Sequence, residues 1–211
     1  MHPALLPYKR HAASKMRARR NGVLSMGTVR DRERYSPAMR ANRTALLVID
    51  MINDFATPGG ALYSEPVGAI VPAVAREISR AKAAGDVIIF VCDSHLANDP
   101  EFRLFPPHAL PGQGREIVAA LDTSGAAAII RKRRYSAFFG TDLDEQLSAL
   151  GVTGLRLVGS CTNICVFFTA ADAANRDYQI EVVKDAVASF DLQAHAHALR
   201  ELEKTLGAKI G

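Results

Sequence analysis

From Thr44 onward, short runs of aliphatic and β-branched residues alternate with stretches in which apolar residues return every three or four positions. The strand-like runs are ALLVI (45–49), VIIFV (87–91), AAAII (126–130), LRLVG (155–159) and IEVV (180–183). Several are apolar throughout, as parallel strands covered on both faces require. Between the first two runs, Ile70, Val74, Ile78 and Ala81 recur at helical spacing, and Gly85 ends that helix. Helical patterns also cover 113–122, 142–150, 163–176 and 192–206. Such alternation predicts an α/β fold: a doubly wound, mostly parallel sheet of five to six strands, flanked by helices in three Rossmann-like layers and joined by right-handed crossovers. No internal repeat or linker divides residues 44–211, which are expected to form one domain.

In open α/β sheets, ligands bind beyond the carboxyl ends of the strands. Asp50 follows the first run, Asp93 and His95 the second, Lys132 the third, and the turn from Gly159 to Cys165 the fourth. The chemically loaded segments are therefore expected on one rim.

Composition narrows the class. The chain has 211 residues, 48% of them hydrophobic, enough for one well-filled core. No run approaches the ~20 apolar residues that span a bilayer, which argues against a membrane protein. No signal-peptide apolar segment opens the chain either, so a cytoplasmic protein is expected. Three cysteines, Cys92, Cys161 and Cys165, suit a reducing compartment and free thiols. A net charge of +4 and a pI near 9.1 would suggest a nucleic-acid partner. Residues 1–43, however, hold eleven of the 26 basic side chains against Asp31 and Glu33 alone. The remaining 168 residues carry 15 basic and 20 acidic groups, so that partner is not expected. The Arg-rich leader lacks apolar periodicity and reads as disordered. It is an over-extended start before Met26 or Met39, a basic tail, or a transit peptide, and sequence leaves the three open.

Two constellations carry chemistry. In GSCTNICVFFTAADA (159–173), a strand-to-helix turn puts Cys165 in the first turn of a helix, where the dipole is expected to draw the thiol pKa down. Backbone N–H groups of that turn suit an oxyanion hole. Asp50, at the end of an apolar strand, is placed to act as a general base whose proton affinity burial raises. Lys132, in RKRRYSAFFGTDLD (131–144), can stabilise a thiolate. Taken singly, each has an ordinary explanation: a buried cysteine, a capping aspartate, a solvated basic run. The second constellation is CDSHLANDPEFRLFPPH (92–108), where Asp93, His95, Glu101 and His108 form a mixed N/O set that suits Zn²⁺, Mn²⁺ or Fe²⁺.

Together these motifs, with ALLVIDMINDF (45–55), occur in an order that resembles the isochorismatase-like cysteine hydrolases, and among them the nicotinamidases. The similarity runs from about Thr44 to the terminal TLGAKI. It implies Asp50 as base, Lys132 as its cationic partner and Cys165 as nucleophile. It also implies a cis peptide at Ser160–Cys161 and an oxyanion hole from the N–H groups of Cys161 and Cys165. The metal ligands would be Asp93, His95, Glu101 and His108 around one divalent ion, zinc ahead of manganese or iron. Phe55, Phe105 and Tyr135 would hold the ring of the substrate. Ile52 departs from the glutamine frequent in D-x-Q-N-D-F. The implied reaction is hydrolysis of nicotinamide to nicotinate and ammonia through a cysteine thioester, in NAD salvage, by a homo-oligomer. The alternatives are a hydrolase of the same fold acting on another small amide or ureide, and a non-catalytic binding protein.

Overall fold

The computed structural model describes residues 43–211. Six parallel strands form one sheet: β1 (Arg43–Ile49), β2 (Val87–Asp93), β3 (Ala128–Lys132), β4 (Val152–Ser160), β5 (Gln179–Ala188) and β6 (Lys209–Ile210), in the order β3-β2-β1-β4-β5-β6. The helices are α1 (Asn53–Ala56), α2 (Glu65–Ala69), α3 (Val71–Ala84), α4 (Leu143–Ala149), α5 (Phe167–Ala174) and α6 (Leu192–Lys204). Among the described residues, no helix is long and apolar enough to cross a membrane. The predicted leader lies outside the described residues, except that Arg43 opens β1 and donates to the Leu150 carbonyl at 2.9 Å.

Strand side chains alternate between faces, so a strand covered on both sides is apolar at every position. In β1, Leu47 and Ile49 join the cluster with Leu143 and Leu147 of α4 and Ala170 of α5, while Leu46 and Val48 pack with Val74 and Ile78 of α3. Each register step thus buries a residue on one face or the other, which pins the central strands. Gly85 ends α3 in the left-handed conformation (φ 73°), and Asp191 caps α6 by accepting from the N–H groups of Gln193 and Ala194, both at 2.9 Å.

The sheet departs from the sequence reading in three places. Residues 113–122 form no α-helix. A short 3-10 turn (Gln113–Arg115) is followed by an extended segment in which Ile117 bridges Ile52 and the Val118 N–H donates to the Met51 carbonyl at 3.1 Å. Pro111, Gly112 and Gly114 weaken a helix there, and the apolar side chains pack on the cluster around α3 instead. β3 runs two residues later than the apolar run suggested, because an edge strand tolerates Arg131 and leaves Ile129 half exposed. β6, two residues long, is too short to carry a periodic signal.

The chain winds outward in both directions from the β1–β4 pair, and the crevice at that reversal lies at the strands' carboxyl ends.

Candidate active site

Four buried groups meet in that crevice. Asp50 directly follows β1, Asp93 ends β2 and Lys132 ends β3. Asp50 and Lys132 are wholly buried and Cys165 is nearly so. Asp50 sits at φ 52°, a left-handed conformation that costs a non-glycine residue energy and that aspartate tolerates better than most. Its N–H donates to the Val91 carbonyl at 2.8 Å and its Oδ1 accepts from the Asp93 N–H at 2.7 Å. Lys132 Nζ lies 2.8 Å from Asp50 Oδ2, donates to Asp93 Oδ1, and approaches Cys165 Sγ at 3.5 Å.

Burial penalises every charge here, and the pairing decides which survive. Burial, reinforced by the Asp93 charge, pushes the Asp50 carboxyl up to about 7, with Lys132 opposing. Burial works against the Lys132 ammonium, yet Asp50 and Asp93 outweigh it and hold its pKa well above the usual value. The Cys165 thiol is the correction: burial drives it well above its ordinary range, and Lys132 recovers only part of that. A dry environment outweighs the expected helix dipole, and Thr162–Val166 is a π-helical turn rather than the first turn of an α-helix. The ground state is therefore a neutral thiol beside a carboxylate poised to take its proton.

The turn bearing Cys165 is held from several sides. Gly159, at φ 111°, lies so close to β1 that a Cβ there would come within 1.9 Å of the Ile49 carbonyl oxygen. The Ser160–Cys161 peptide is cis, and Ser160 Oγ donates to the Asp50 carbonyl at 3.2 Å. The Cys161 carbonyl accepts from Ile164 at 3.0 Å and Val166 at 3.2 Å, the N–H groups on either side of Cys165. Thr162 Oγ1 bonds His195 Nδ1 at 2.9 Å, and Asn163 Oδ1 accepts from Ser189 Oγ at 2.5 Å.

Beside this centre, donor atoms of Asp93, His95, Glu101 and His108 all lie within 4.8 Å of one another. His95 Nε2 is 3.8 Å from Asp93 Oδ2 and 4.0 Å from Glu101 Oε1, and His108 Nε2 stands 3.9 and 4.0 Å from the same two oxygens. These gaps are too long for hydrogen bonds, and His95 Nε2 is buried without a partner. Donors about 2.1 Å from one ion lie about 3–4 Å apart, so the set fits a divalent metal. His108 Nδ1 donates to the Pro106 carbonyl at 2.8 Å, which turns the Nε2 lone pair toward the other donors.

Asp99 escaped the sequence reading. It is buried, faces His95 Nδ1 at 3.3 Å, and accepts from the Glu101 N–H at 3.1 Å and from Arg133 and Arg134 at 3.0 and 3.1 Å. Burial opposes its charge, but those donors hold its carboxyl well below the usual range. The Asp-Pro that opens the 3-10 turn at Pro100–Arg103 was the available signal.

Cys165 and three of the four candidate ligands, Asp93, Glu101 and His108, open onto one cavity of about 340 Å³. Phe55, Phe105 and Tyr135 line it, together with Leu62, Tyr63, Ile164 and Phe190, and Cys161 contributes to the wall. The Phe55 ring lies 5.5 Å from His108 and the Phe105 ring 6.4 Å, while Tyr135 packs on Phe168 at 5.5 Å. Among the described residues, no lysine or arginine lines the cavity.

Comparison with known proteins bears on the fold that carries this arrangement. Residues 44–210 match the isochorismatase domain. The structure is similar to that of a pyrazinamidase/nicotinamidase from Streptococcus mutans, with 41% identity over 80% of this chain and 99% of the other, and a TM-score of 0.76. It is also similar to a pyrazinamidase of Pyrococcus horikoshii solved in complex with zinc, with 34% identity over 80% and 98% of the two chains and a TM-score of 0.75. In sequence, a ureidoacrylate amidohydrolase, RutB, of Methylorubrum extorquens is 30% identical over 81% of this chain and 80% of its own length.

Proposed function

The chain belongs to the isochorismatase family and carries its hydrolase fold, and from that premise we propose that it is a nicotinamidase, releasing ammonia and nicotinate for NAD salvage. One observation carries the proposal: the Cys165 thiol and three of the four candidate metal ligands face the same cavity, which is lined by aromatic rings and, among the described residues, by no lysine or arginine.

In the proposed mechanism the aromatic walls take up the neutral pyridine ring and exclude water. Asp93, His95, Glu101 and His108 would hold one divalent ion, zinc by the precedent of the Pyrococcus horikoshii protein, which would supply Lewis acidity toward the ring nitrogen. Asp50 accepts the Cys165 proton as sulfur attacks the amide carbon, and Lys132 balances the negative charge so formed. The tetrahedral oxyanion is received by the N–H groups of Cys161 and Cys165, where losing one donor costs about 3 kcal/mol of barrier. As the C–N bond breaks, Asp50 returns the proton to the departing amine and ammonia leaves. Water then attacks the thioester, gives a proton to Asp50, and the sulfur departs to be reprotonated as nicotinate forms. Asp50 performs this alternation because its carboxyl, pushed to about 7, gives and takes a proton near neutrality.

The second reading, a ureide hydrolase, is prompted by the ureidoacrylate-cleaving relative. Its acidic substrate would need a cationic side chain as partner, and among the described residues no lysine or arginine lines the cavity wall. Comparing kcat/KM for nicotinamide and ureidoacrylate with zinc-loaded protein tests the choice. The proposal expects nicotinamide to win by at least about 100-fold, a difference of roughly 2.7 kcal/mol in transition-state binding. A preference for ureidoacrylate would discard it.

A further inference from the structure

Asp54 belongs to the IDMINDF segment (49–55) whose first aspartate, Asp50, is the proposed base, yet it takes no part in that chemistry. Its carboxylate binds two backbone N–H groups that lie far apart in the chain. Oδ2 accepts from Ala109 at 2.7 Å and Oδ1 from Ala61 at 3.2 Å, while the Asp54 carbonyl accepts from Leu62 at 2.9 Å. Ala109 is the residue after His108. It is fully buried, held at φ 49°, and its own carbonyl accepts the N–H of His95 at 3.1 Å. One peptide node thus joins the backbones of both candidate histidine ligands, and Asp54 is the side chain that anchors it. Gly114 closes the other side of the carboxylate, because a Cβ there would fall 2.4 Å from Oδ1 and 2.5 Å from Oδ2.

We infer that Asp54 is a positioning residue for the metal centre: through Ala109 it fixes the spacing of His95 and His108, and through Ala61 and Leu62 it ties the adjoining cavity wall to the same anchor. The inference rests on reading the four-residue cluster as a metal site. Its chemistry is that of an outer-sphere carboxylate acting through main-chain amides, where loss of a supporting partner weakens metal binding by about 10- to 100-fold. Charge alone does not serve. An asparagine keeps one acceptor but turns an NH2 group against a backbone N–H, and a glutamate is too long for the space that Gly114 leaves.

The test is zinc affinity, by competition with a chromophoric chelator, for the full chain and for Asp54→Asn, Asp54→Glu, Gly114→Ala and the control Asp122→Asn, whose carboxylate bonds Lys82 at the surface. The visible spectrum of the cobalt-substituted proteins and the rate of Cys165 alkylation in metal-free protein are read alongside. The inference expects both Asp54 variants to bind zinc about 10- to 100-fold more weakly with altered cobalt bands, Gly114→Ala to move the same way, and Asp122→Asn to match wild type. It also expects the alkylation rate to stay within twofold, since Asp54 touches neither Asp50 nor Lys132. Zinc affinity and cobalt bands unchanged in both Asp54 variants would overturn the inference alone. An alkylation rate that falls with affinity would overturn it too, as the sign of general collapse. A wild-type chain that binds no zinc would overturn both the inference and the metal reading beneath it.

Discussion

Replacing Lys132 by methionine, which fills similar space without charge, removes the cation that lets two carboxylates share a dry crevice. In the wild type, Nζ stands 2.8 Å from Asp50 Oδ2 and also bonds Asp93, and Lys132 and Asp50 are fully buried. At an effective dielectric of about 20, a 2.8 Å ion pair is worth roughly 6 kcal/mol of attraction. Desolvating the ammonium returns several of those kcal/mol, so the pair adds little by itself. Removing one partner is different, because the carboxylates stay behind without compensation, at a cost of about 3–5 kcal/mol. A domain of this size loses about 2–4 °C of Tm per kcal/mol, so a fall of roughly 6–20 °C is expected. The pH dependence fixes the sign. Without the ammonium, burial holds the Asp50 carboxyl further above its unfolded value, so the folded variant binds more protons than the unfolded chain and loses stability as pH rises. The deficit must therefore be larger at pH 8 than at pH 5. Urea unfolding of metal-free wild type and Lys132→Met at the two pH values measures it. A variant within 1 kcal/mol of wild type at pH 8, or a deficit that shrinks as pH rises, would refute the reasoning.

Three further outcomes follow from the geometry. Asp50→Asn keeps an acceptor for the Asp93 N–H but cannot take the thiol proton, so Cys165 alkylation and turnover should fall about 10²–10⁴-fold. Because a base works only when ionised, wild-type kcat/KM should decline as pH drops through about 7, and rates in Asp50→Asn should lack that limb; a persisting limb would assign it to another group. Gly159→Ala forces a Cβ to within 1.9 Å of the Ile49 carbonyl, whereas at Gly154 in the same strand the nearest atom is 3.7 Å away. Thermal unfolding should show a loss of about 3 kcal/mol or more for the first and about 1 kcal/mol or less for the second; equal losses would contradict the close approach. Phe105→Ala should raise KM for nicotinamide about tenfold with kcat changed less than threefold, as the loss of uniform ring binding predicts, and an effect confined to kcat would place Phe105 elsewhere in the mechanism.

What was legible in the sequence follows the range of the forces involved. β1 and β2 showed as apolar runs because both of their faces are covered, and the rule that sites gather at strand ends then located Asp50, Asp93, Lys132 and Cys165. The segment 113–122 misled because spacing near Ile117 and Leu121 satisfies a helix, while the winning contacts, to Met51, Ile52 and Asn53, lie more than sixty residues away. Asp99 and Asp54 were silent for the same reason. They act on backbone N–H groups and arginines brought near by folding, and a lone aspartate in a loop has no period to announce it. The thiol pKa was misjudged because position at a helix start is a sequence property, whereas dryness belongs to the folded crevice.

The central claim is that Cys165 carries the acyl group of nicotinamide during hydrolysis. The most direct measurement is an acid-quenched single turnover of zinc-loaded protein with nicotinamide, followed by peptide mass spectrometry across time points. The account predicts a nicotinoyl thioester on the peptide containing Cys165 that rises with ammonia release, decays to nicotinate, and is absent from Cys165→Ala. Ammonia release with no adduct at any time, or with the acyl group on Cys161, would contradict it.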